Sequence, residues 1–589
     1  MCGIAGAMSR TGAAIDVGLL DRLGTAQAHR GPDGRGHYTQ DAIGLAHQRL
    51  AIIDLATGDQ PLFGPGGLVL IANGEIYNNP ELRETLAFEP FKTKSDCEPP
   101  LYLYQLHGLD YVDHLRGMYA IALYDPAKRQ LVLSRDPFGI KPLYYAETPS
   151  HFLFASEPQA ILATGLIERR EEQQGRDELV NLQFTTGATT IFAGIHRLAP
   201  GETVVVKNGA IVERRRRAAL PTTPLLAETE KELLDELDRR LTESVDLHQR
   251  SDVPYGMFLS GGIDSATVLA LMARLNCRPV LAYTAYFPGT SARDETDLAA
   301  KLAREVGATH VEVPVTEEDF WLLLPEIAAS MDDPAADYAI LPTAKLAMAA
   351  RQSVKVVLSG EGGDELFAGY GRYRAVNRPW PFARPMRRKG TLAELGILRE
   401  KSDWRAGMRA AESEAAQPGW NRLQQAQAVD CADWLPNDLL TKLDRCLMAQ
   451  GIEGRVPFLD PMVADLAFRL PDRLKLAPMS EGGGRGKYLL RKWLSETLPS
   501  AEPFSPKRGF TVPVADWLAK KPELGALLAA HPSIQALCRP GSVEALFQRL
   551  DKRNGFAAWT LLFYALWHHR HIQNRPVSGG VFETLTHRG

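Results

Sequence analysis

Cys2 follows the initiator Met1 directly. A small second residue permits removal of Met1, which leaves a thiol beside a free α-amine. The amine titrates near roughly 7.7–8.0 and the thiol near roughly 8.5. The amine can then act as general base for its own side chain, the logic of N-terminal nucleophiles. A lone Cys2 is a weak signal, but other residues supply what acyl chemistry needs. Asn73-Gly74 ends the apolar run Val69-Leu70-Ile71-Ala72. An Asn amide and a Gly backbone N–H together make a competent oxyanion hole. Arg49, in Gln48-Arg49-Leu50-Ala51-Ile52-Ile53, can clamp a carboxylate with its fork. Asp96, in Lys94-Ser95-Asp96, can take an ammonium group. A carboxylate clamp plus an ammonium acceptor describes an amino-acid site, though each residue alone also reads as structural.

A second chemistry sits further along. Val253 to Leu259 reads as a buried strand, then Ser260-Gly261-Gly262-Ile263-Asp264-Ser265 leads into a helix from Ala266 to Leu275. A glycine turn between strand and helix offers backbone N–H groups and the positive helix end to a phosphate. Asp264 repels phosphate unless a divalent cation lies between them. A plain glycine turn is the alternative. Val354 to Leu358 is another strand, and it runs into Ser359-Gly360-Glu361-Gly362-Gly363-Asp364-Glu365. Three acids in five residues repel one another unless a cation neutralises them. Ligands of open α/β sheets sit at the carboxyl ends of strands, so the two loops are expected to converge. Gly482-Gly483-Gly484-Arg485-Gly486-Lys487-Tyr488 imitates a Walker loop but fails it. The pattern needs Gly at Glu481 and Ser or Thr at Tyr488.

The elements that carry these residues divide the chain. Up to about residue 212, short strand-like runs alternate with turns, and Asn208-Gly209 between β-branched runs signals a hairpin. This half reads as mainly antiparallel sheet. Glu213-Arg214-Arg215-Arg216-Arg217 reads as a solvated linker rather than a nucleic-acid arm, since it lacks interleaved aromatics. From about 250 onward, strand, glycine turn and helix repeat, the pattern of a parallel sheet covered by helices. A Pro- and Arg-rich stretch, 377–390, reads as a surface loop.

Composition narrows the class. The 589 residues carry 67 Lys and Arg against 71 Asp and Glu, a net charge of −4. That balance argues against a nucleic-acid partner. Six cysteines show no CxxC pair, so a disulfide framework or cysteine-rich zinc site is not expected. No apolar run approaches the roughly 18 residues of a membrane span. The N-terminus lacks a basic leader and long apolar run. The expectation is a cytoplasmic enzyme.

Four N-terminal motifs resemble class II glutamine amidotransferase domains. They are Cys2-Gly3-Ile4-Ala5-Gly6, Arg30-Gly31-Pro32-Asp33-Gly34, Asn73-Gly74-Glu75-Ile76-Tyr77-Asn78 and Arg135-Asp136-Pro137-Phe138-Gly139. The second half resembles the synthetase domain of glutamine-hydrolysing asparagine synthetases. The motifs there are Ser260 to Ser265, Ser359 to Phe367, Gly451-Ile452-Glu453-Gly454-Arg455-Val456-Pro457-Phe458-Leu459-Asp460 and Lys507-Arg508-Gly509-Phe510. All occur in family order across nearly the whole chain.

The resemblance implies an α/β protein of two domains. Residues 2–213 would form a four-layer antiparallel sandwich of the N-terminal-nucleophile type, with a linker at 214–229. Residues 230–589 would form a parallel-sheet nucleotide-binding domain with a helical extension. Cys2 would form a glutamyl thioester, with Asn73 and Gly74 holding the oxyanion. Arg49, Glu75 and Asp96, with Leu50, Ala51, Ile52 and Ile53, would bind glutamine. ATP would lie on Leu259, Ser260, Gly261, Gly262, Asp264, Ser265, Ala285, Ser359 and Gly360. Asp264 and Asp364 would hold Mg2+. Glu361 would aid formation and amination of an acyl-adenylate of aspartate, and Lys487 would face the phosphates.

Glu453 and Arg455 are expected in the aspartate site, with structural ion pairs as the alternative. Cys97 with Pro99-Pro100, and Ala266, depart from the family pattern. A related ligase acting on another carboxylate, such as a peptide or secondary metabolite, stays open. So does a homodimer, because the sequence does not reveal oligomeric state.

Overall fold

The computed structural model describes residues 2–290, 296–378, 382, 384–477, 486–505 and 512–587. The Lys507–Phe510 motif, Gly482 to Arg485 and part of the 377–390 stretch lie outside the described residues.

Two six-stranded antiparallel sheets stack in the N-terminal half. Gly3–Ser9 lies inside the first, between Ile43–Arg49 and His151–Ala155. Val69–Ile76 lies in the second, beside Gly117–Asp125. Strand side chains alternate between faces, so each sheet has an inner and an outer set. Ile4, Met8, Val69 and Ile71 meet between the sheets. Ala5 and Ala7 face outward to the helix Val17–Thr25. Leu70 and Ala72 face the helix Pro99–His107. The result is helix, sheet, sheet, helix, the expected four layers. The hairpin at Asn208-Gly209 forms with φ of 48° and 68°, the left-handed pair such a tight turn requires. Its second strand, Ala210–Arg216, extends the sheet past 213. Arg214, Arg215 and Arg216 are therefore strand residues rather than linker, paired with Glu202, Asp110 and Glu414.

The C-terminal half holds a five-stranded sheet, every neighbouring pair parallel. Its order is Thr309–Pro314, Leu281–Tyr286, Tyr255–Phe258, Val356–Leu358, Glu453–Arg455. Connections leave Tyr255–Phe258 to one side first and later reach Val356–Leu358 on the other. That reversal makes a crevice at the carboxyl ends of these two strands. The helix Glu230–His248 opens this half with a capping box, Thr229 with Glu232. The helices Ala406–Glu414 and Lys552–His571 belong to the helical extension. No described helix is long and apolar enough to cross a membrane.

The halves meet across a buried charged seam. Arg30 is fully buried and donates to Glu157 Oε1 at 2.7 Å and to both oxygens of Asp444 at 2.8 and 2.9 Å. Arg445 pairs with Asp332 at 2.7 Å and Asp444 at 2.8 Å, and Arg197 holds Asp333. Arg116 grips Asp460 at 2.8 and 3.0 Å. Burying so many charges is tolerable only because each is paired. Asp444→Ala leaves Arg30 and Arg445 each short of a carboxylate. It is expected to destabilise the protein by about 3–5 kcal/mol, read as a lower urea midpoint. An unchanged midpoint would mean the seam does not hold the halves together.

Candidate active sites

Cys2 enters the first sheet at the edge of the inter-sheet space. Its backbone nitrogen donates to Asn73 Oδ1 at 3.0 Å, a bond from sheet to sheet. Asn73 shares the inward face of Val69 and Ile71, so strand alternation alone aims it at the thiol. Its Nδ2 is buried and has no hydrogen-bond partner among the described residues. A buried amide donor left open costs stability, and it suits a donor reserved for a developing oxyanion. Gly74 must be glycine, because a Cβ there would lie 2.2 Å from Met118 O. Burial raises the Cys2 thiol above its ordinary value, while the Leu50 backbone N–H and the Arg49 charge pull it back.

The other residues expected to bind glutamine lie around this point. Arg49 bonds Asp54 O at 2.5 Å and Asp59 Oδ1 at 2.7 Å. Its fork is thus held by the loop that follows it. Leu50 and Ile52 are buried, Ile53 is partly buried, and the Ala51 N–H donates to Asp33 at 2.8 Å. Asp96 accepts from the Ile76 N–H at 2.7 Å and from the Cys97 thiol at 3.6 Å. Burial raises both Glu75 and Asp96, and Asp96 raises Glu75 further. Two buried acids on one wall favour a cation between them.

Glu75 has a partner that the sequence did not announce. Its Oε2 accepts from Arg455 Nη2 at 3.0 Å across the seam. Arg455 also bonds Glu453 at 2.5 Å, His248 O at 2.9 Å and Arg250 O at 2.6 Å. Arg455 and Glu453 are held in the ion pairs of the alternative reading, and neither lines the cleft described below. Their placement has a simple cause: the strand Glu453–Arg455 is the outermost of the parallel sheet and lies against the N-terminal half.

The second site is a cleft of about 530 Å³ at the predicted crevice. Leu259, Ser260, Gly261, Gly262, Asp264, Ser265, Ala285, Ser359, Gly360, Glu361, Asp364 and Lys487 all line it. The two loops do converge. A Cβ on Gly360 would meet Asp264 Cβ at 2.8 Å, and one on Gly363 would meet Asp264 Oδ1 at 2.5 Å. Gly262 heads the helix Ile263–Leu275, whose N–H groups face the cleft mouth. Ser265 Oγ receives the Ser260 N–H at 3.1 Å, which holds the turn closed.

Lys487 completes this site from far along the chain. Its Nζ lies 2.5 Å from Asp264 Oδ2 and 2.6 Å from Asp364 Oδ1. Burial opposes its charge, but the two acids raise its proton affinity overall. The residue sits at φ 65°, a strained conformation for a side-chain-bearing residue. A Cβ on Gly369 would lie 2.2 Å from Lys487 Cε, so that glycine clears its path. The donor set fits magnesium. Two carboxylates converge on one cationic point, and Mg2+ takes one or two carboxylates plus phosphate oxygens and water. Glu365 is pushed up to about 8 by burial and by Asp364, and it accepts from the Tyr370 hydroxyl at 2.7 Å. Asp337, Lys442 and Gln183 also line the cleft. Sequence reasoning missed all three, since none lies in a glycine loop.

Comparison with known proteins agrees with this arrangement. Residues 1–216 match the glutamine amidotransferase domain family and residues 236–569 match the asparagine synthase family. A putative glutamine-hydrolyzing asparagine synthetase of Mycobacterium tuberculosis is 33% identical over 98% of each chain. Asparagine synthetase (glutamine-hydrolyzing) 1 of Bacillus subtilis is 30% identical, covering 100% of this chain and 99% of its own. Amidase chyE of Penicillium rubens is 30% identical over 80% of this chain and 81% of its own. With a thiol and amide donor at one site and a two-loop phosphate cleft at the other, the chain belongs to the glutamine-hydrolysing asparagine synthetase family.

Proposed function

We propose that this chain makes asparagine from aspartate, ATP and the amide nitrogen of glutamine. One observation carries the reading: an acyl-transfer pocket and a phosphate-binding cleft lie on the two sides of a single buried seam.

At the first site the Cys2 thiol passes its proton to the α-amine freed by removal of Met1. The sulfur attacks the side-chain amide of glutamine. The oxyanion forms beside Asn73 Nδ2 and the Gly74 N–H. Ammonia leaves with the proton, and water then cleaves the thioester to glutamate. Arg49 holds the substrate carboxylate once Asp59 yields, and the Glu75–Asp96 wall takes the ammonium.

At the second site the ATP phosphates lie over Ser260 to Ser265, with the adenosine along Leu259, Ala285, Ser359 and Gly360. The β-carboxylate of aspartate displaces pyrophosphate to give an acyl-adenylate, and ammonia then displaces AMP. Asp264 and Asp364 would hold magnesium, which neutralises phosphate charge when bound. Lys487 stays beside this pair of acids and stabilises charge on the phosphates. Glu361 faces the acceptor carbonyl, where it can take the proton that ammonia sheds on attack. Burial raises its carboxyl, against the pull of Lys442, toward a useful range for a base. All reactants are small soluble metabolites, which fits work in the cytoplasm.

A ligase amidating a different carboxylate is the second reading, favoured by the likeness to the Penicillium amidase. Aspartate would then give no turnover although glutamine is hydrolysed.

Three outcomes check the main reading. Cys2→Ala is expected to lose glutamine-dependent synthesis and to keep synthesis from free ammonium, measured as asparagine formed; joint loss would refute two separate sites. Asn73→Ala should lower glutaminase kcat by about 10²–10³-fold, in a glutamate-release assay, and a change confined to KM would rule out the oxyanion role. Lys487→Met is expected to slow pyrophosphate release by at least about 10²-fold, and near-normal release would remove Lys487 from the phosphate site.

A further inference from the structure

The cleft has a far end beyond Glu361 that no loop motif explains. Lys442 stands there on the helix Leu440–Met448. Its Nζ lies 2.8 Å from Asp337 Oδ2 and 3.7 Å from Glu361 Oε1. All three residues line the cleft. One turn earlier, Asp438 is fully buried, and neither of its carboxylate oxygens has a hydrogen-bond partner among the described residues. Asp438 acts electrostatically on Lys442, Asp337 and Glu361. Arg387 acts on Asp438 as well, so two cations face three acids, and burial pushes the Asp438 carboxyl well up.

A structural ion pair normally closes on itself, because buried charges must be satisfied. The Asp337–Lys442 pair instead opens onto a cavity, with an unbonded carboxylate behind it. An amino acid carries an ammonium and a carboxylate on one carbon, the complement of such a pair. Inserting these two groups exchanges one ion pair for two, and their own charges cancel. Asp438 is placed to support the Lys442 charge when Asp337 turns to the ligand.

We propose that Lys442 and Asp337 select the acceptor. Lys442 takes the α-carboxylate and Asp337 the α-ammonium. The reactive carboxylate, two C–C bonds or about 2.5 Å from the α-carbon, then points past Glu361 toward Lys487. The proposal rests on the asparagine-forming reading of this cleft and names the groups that recognise aspartate. Asp337 sets the class: once Lys442 turns to the α-carboxylate, Asp337 needs an ammonium of the ligand in its place. Dicarboxylates without one, and N-acylated or peptide-linked aspartate, leave the Asp337 carboxylate without a cation and are rejected.

The test is pyrophosphate release by the full chain with ATP, Mg2+ and ammonium, comparing aspartate with three analogues. Succinate lacks the ammonium, β-alanine lacks the α-carboxylate, and N-acetylaspartate has its amine blocked. Wild-type kcat/KM should fall at least about tenfold for each analogue. Asp337→Asn should shrink the aspartate-over-succinate ratio at least about tenfold and spare the aspartate-over-β-alanine ratio. Lys442→Met should do the reverse. Ratios within one variant do not depend on the fraction folded. Ratios that move together, or not at all, overturn the proposal. If a variant proves wholly inactive, the wild-type ratios decide, and succinate or N-acetylaspartate matching aspartate overturns it. Wild type that releases no pyrophosphate with aspartate, yet hydrolyses glutamine, refutes instead the parent reading and this inference with it.

Discussion

Arg30 makes three contacts that the rest of the molecule is arranged around. Its Nε donates to Cys2 O at 3.2 Å, and its Nη atoms reach Glu157 and Asp444. A guanidinium with no exposure cannot relax toward water, so it fixes the nucleophile's backbone against the C-terminal half. Asp444 lies two residues after Lys442 on one helix. Residues two apart on an α-helix point to roughly opposite faces. The helix Leu440–Met448 is therefore the shared wall: one face meets Cys2 through Arg30, and the other meets the cleft through Lys442.

The seam gives ammonia chemistry a sensible setting. Ammonia released into water becomes ammonium and loses its nucleophilicity, so a buried junction between the sites has chemical value. Tight pairing leaves few stray charges along it. Arg455 links Glu75 of one pocket to Glu453 of the other domain's outer strand, and Tyr77 packs its ring 4.1 Å from that of His248. The wall proposed to bind glutamine thus also makes a contact between the halves. Lys487 plays the corresponding role in the cleft, where its ammonium keeps two nearby acids from repelling each other.

What the sequence made legible was local. The glycine loops after Tyr255–Phe258 and Val356–Leu358 could be read because strand, glycine turn and helix are contiguous. The Asn208-Gly209 hairpin and the alternation in Val69–Ile76 are equally local. What escaped depends on contacts between distant segments. Arg455 meets Glu75 from 380 positions away, and no pattern around Arg455 records that partner. Asp337 and Lys442 are single charges on ordinary segments, and only packing brings them 2.8 Å apart. The strand Ala210–Arg216 runs on through Arg214, Arg215 and Arg216, a continuation hidden because arginines on an edge strand look like a solvated linker in the sequence.

The claim that nitrogen freed at Cys2 is consumed across the seam has a direct measurement. Full-length protein is given aspartate, ATP, Mg2+ and glutamine labelled with ¹⁵N at the amide, together with an excess of unlabelled ammonium. Asparagine is then analysed by mass spectrometry at early times. Direct transfer predicts product enriched in ¹⁵N far above the bulk ammonium pool. Enrichment equal to that pool would contradict it, because nitrogen would then be reaching the cleft through solvent.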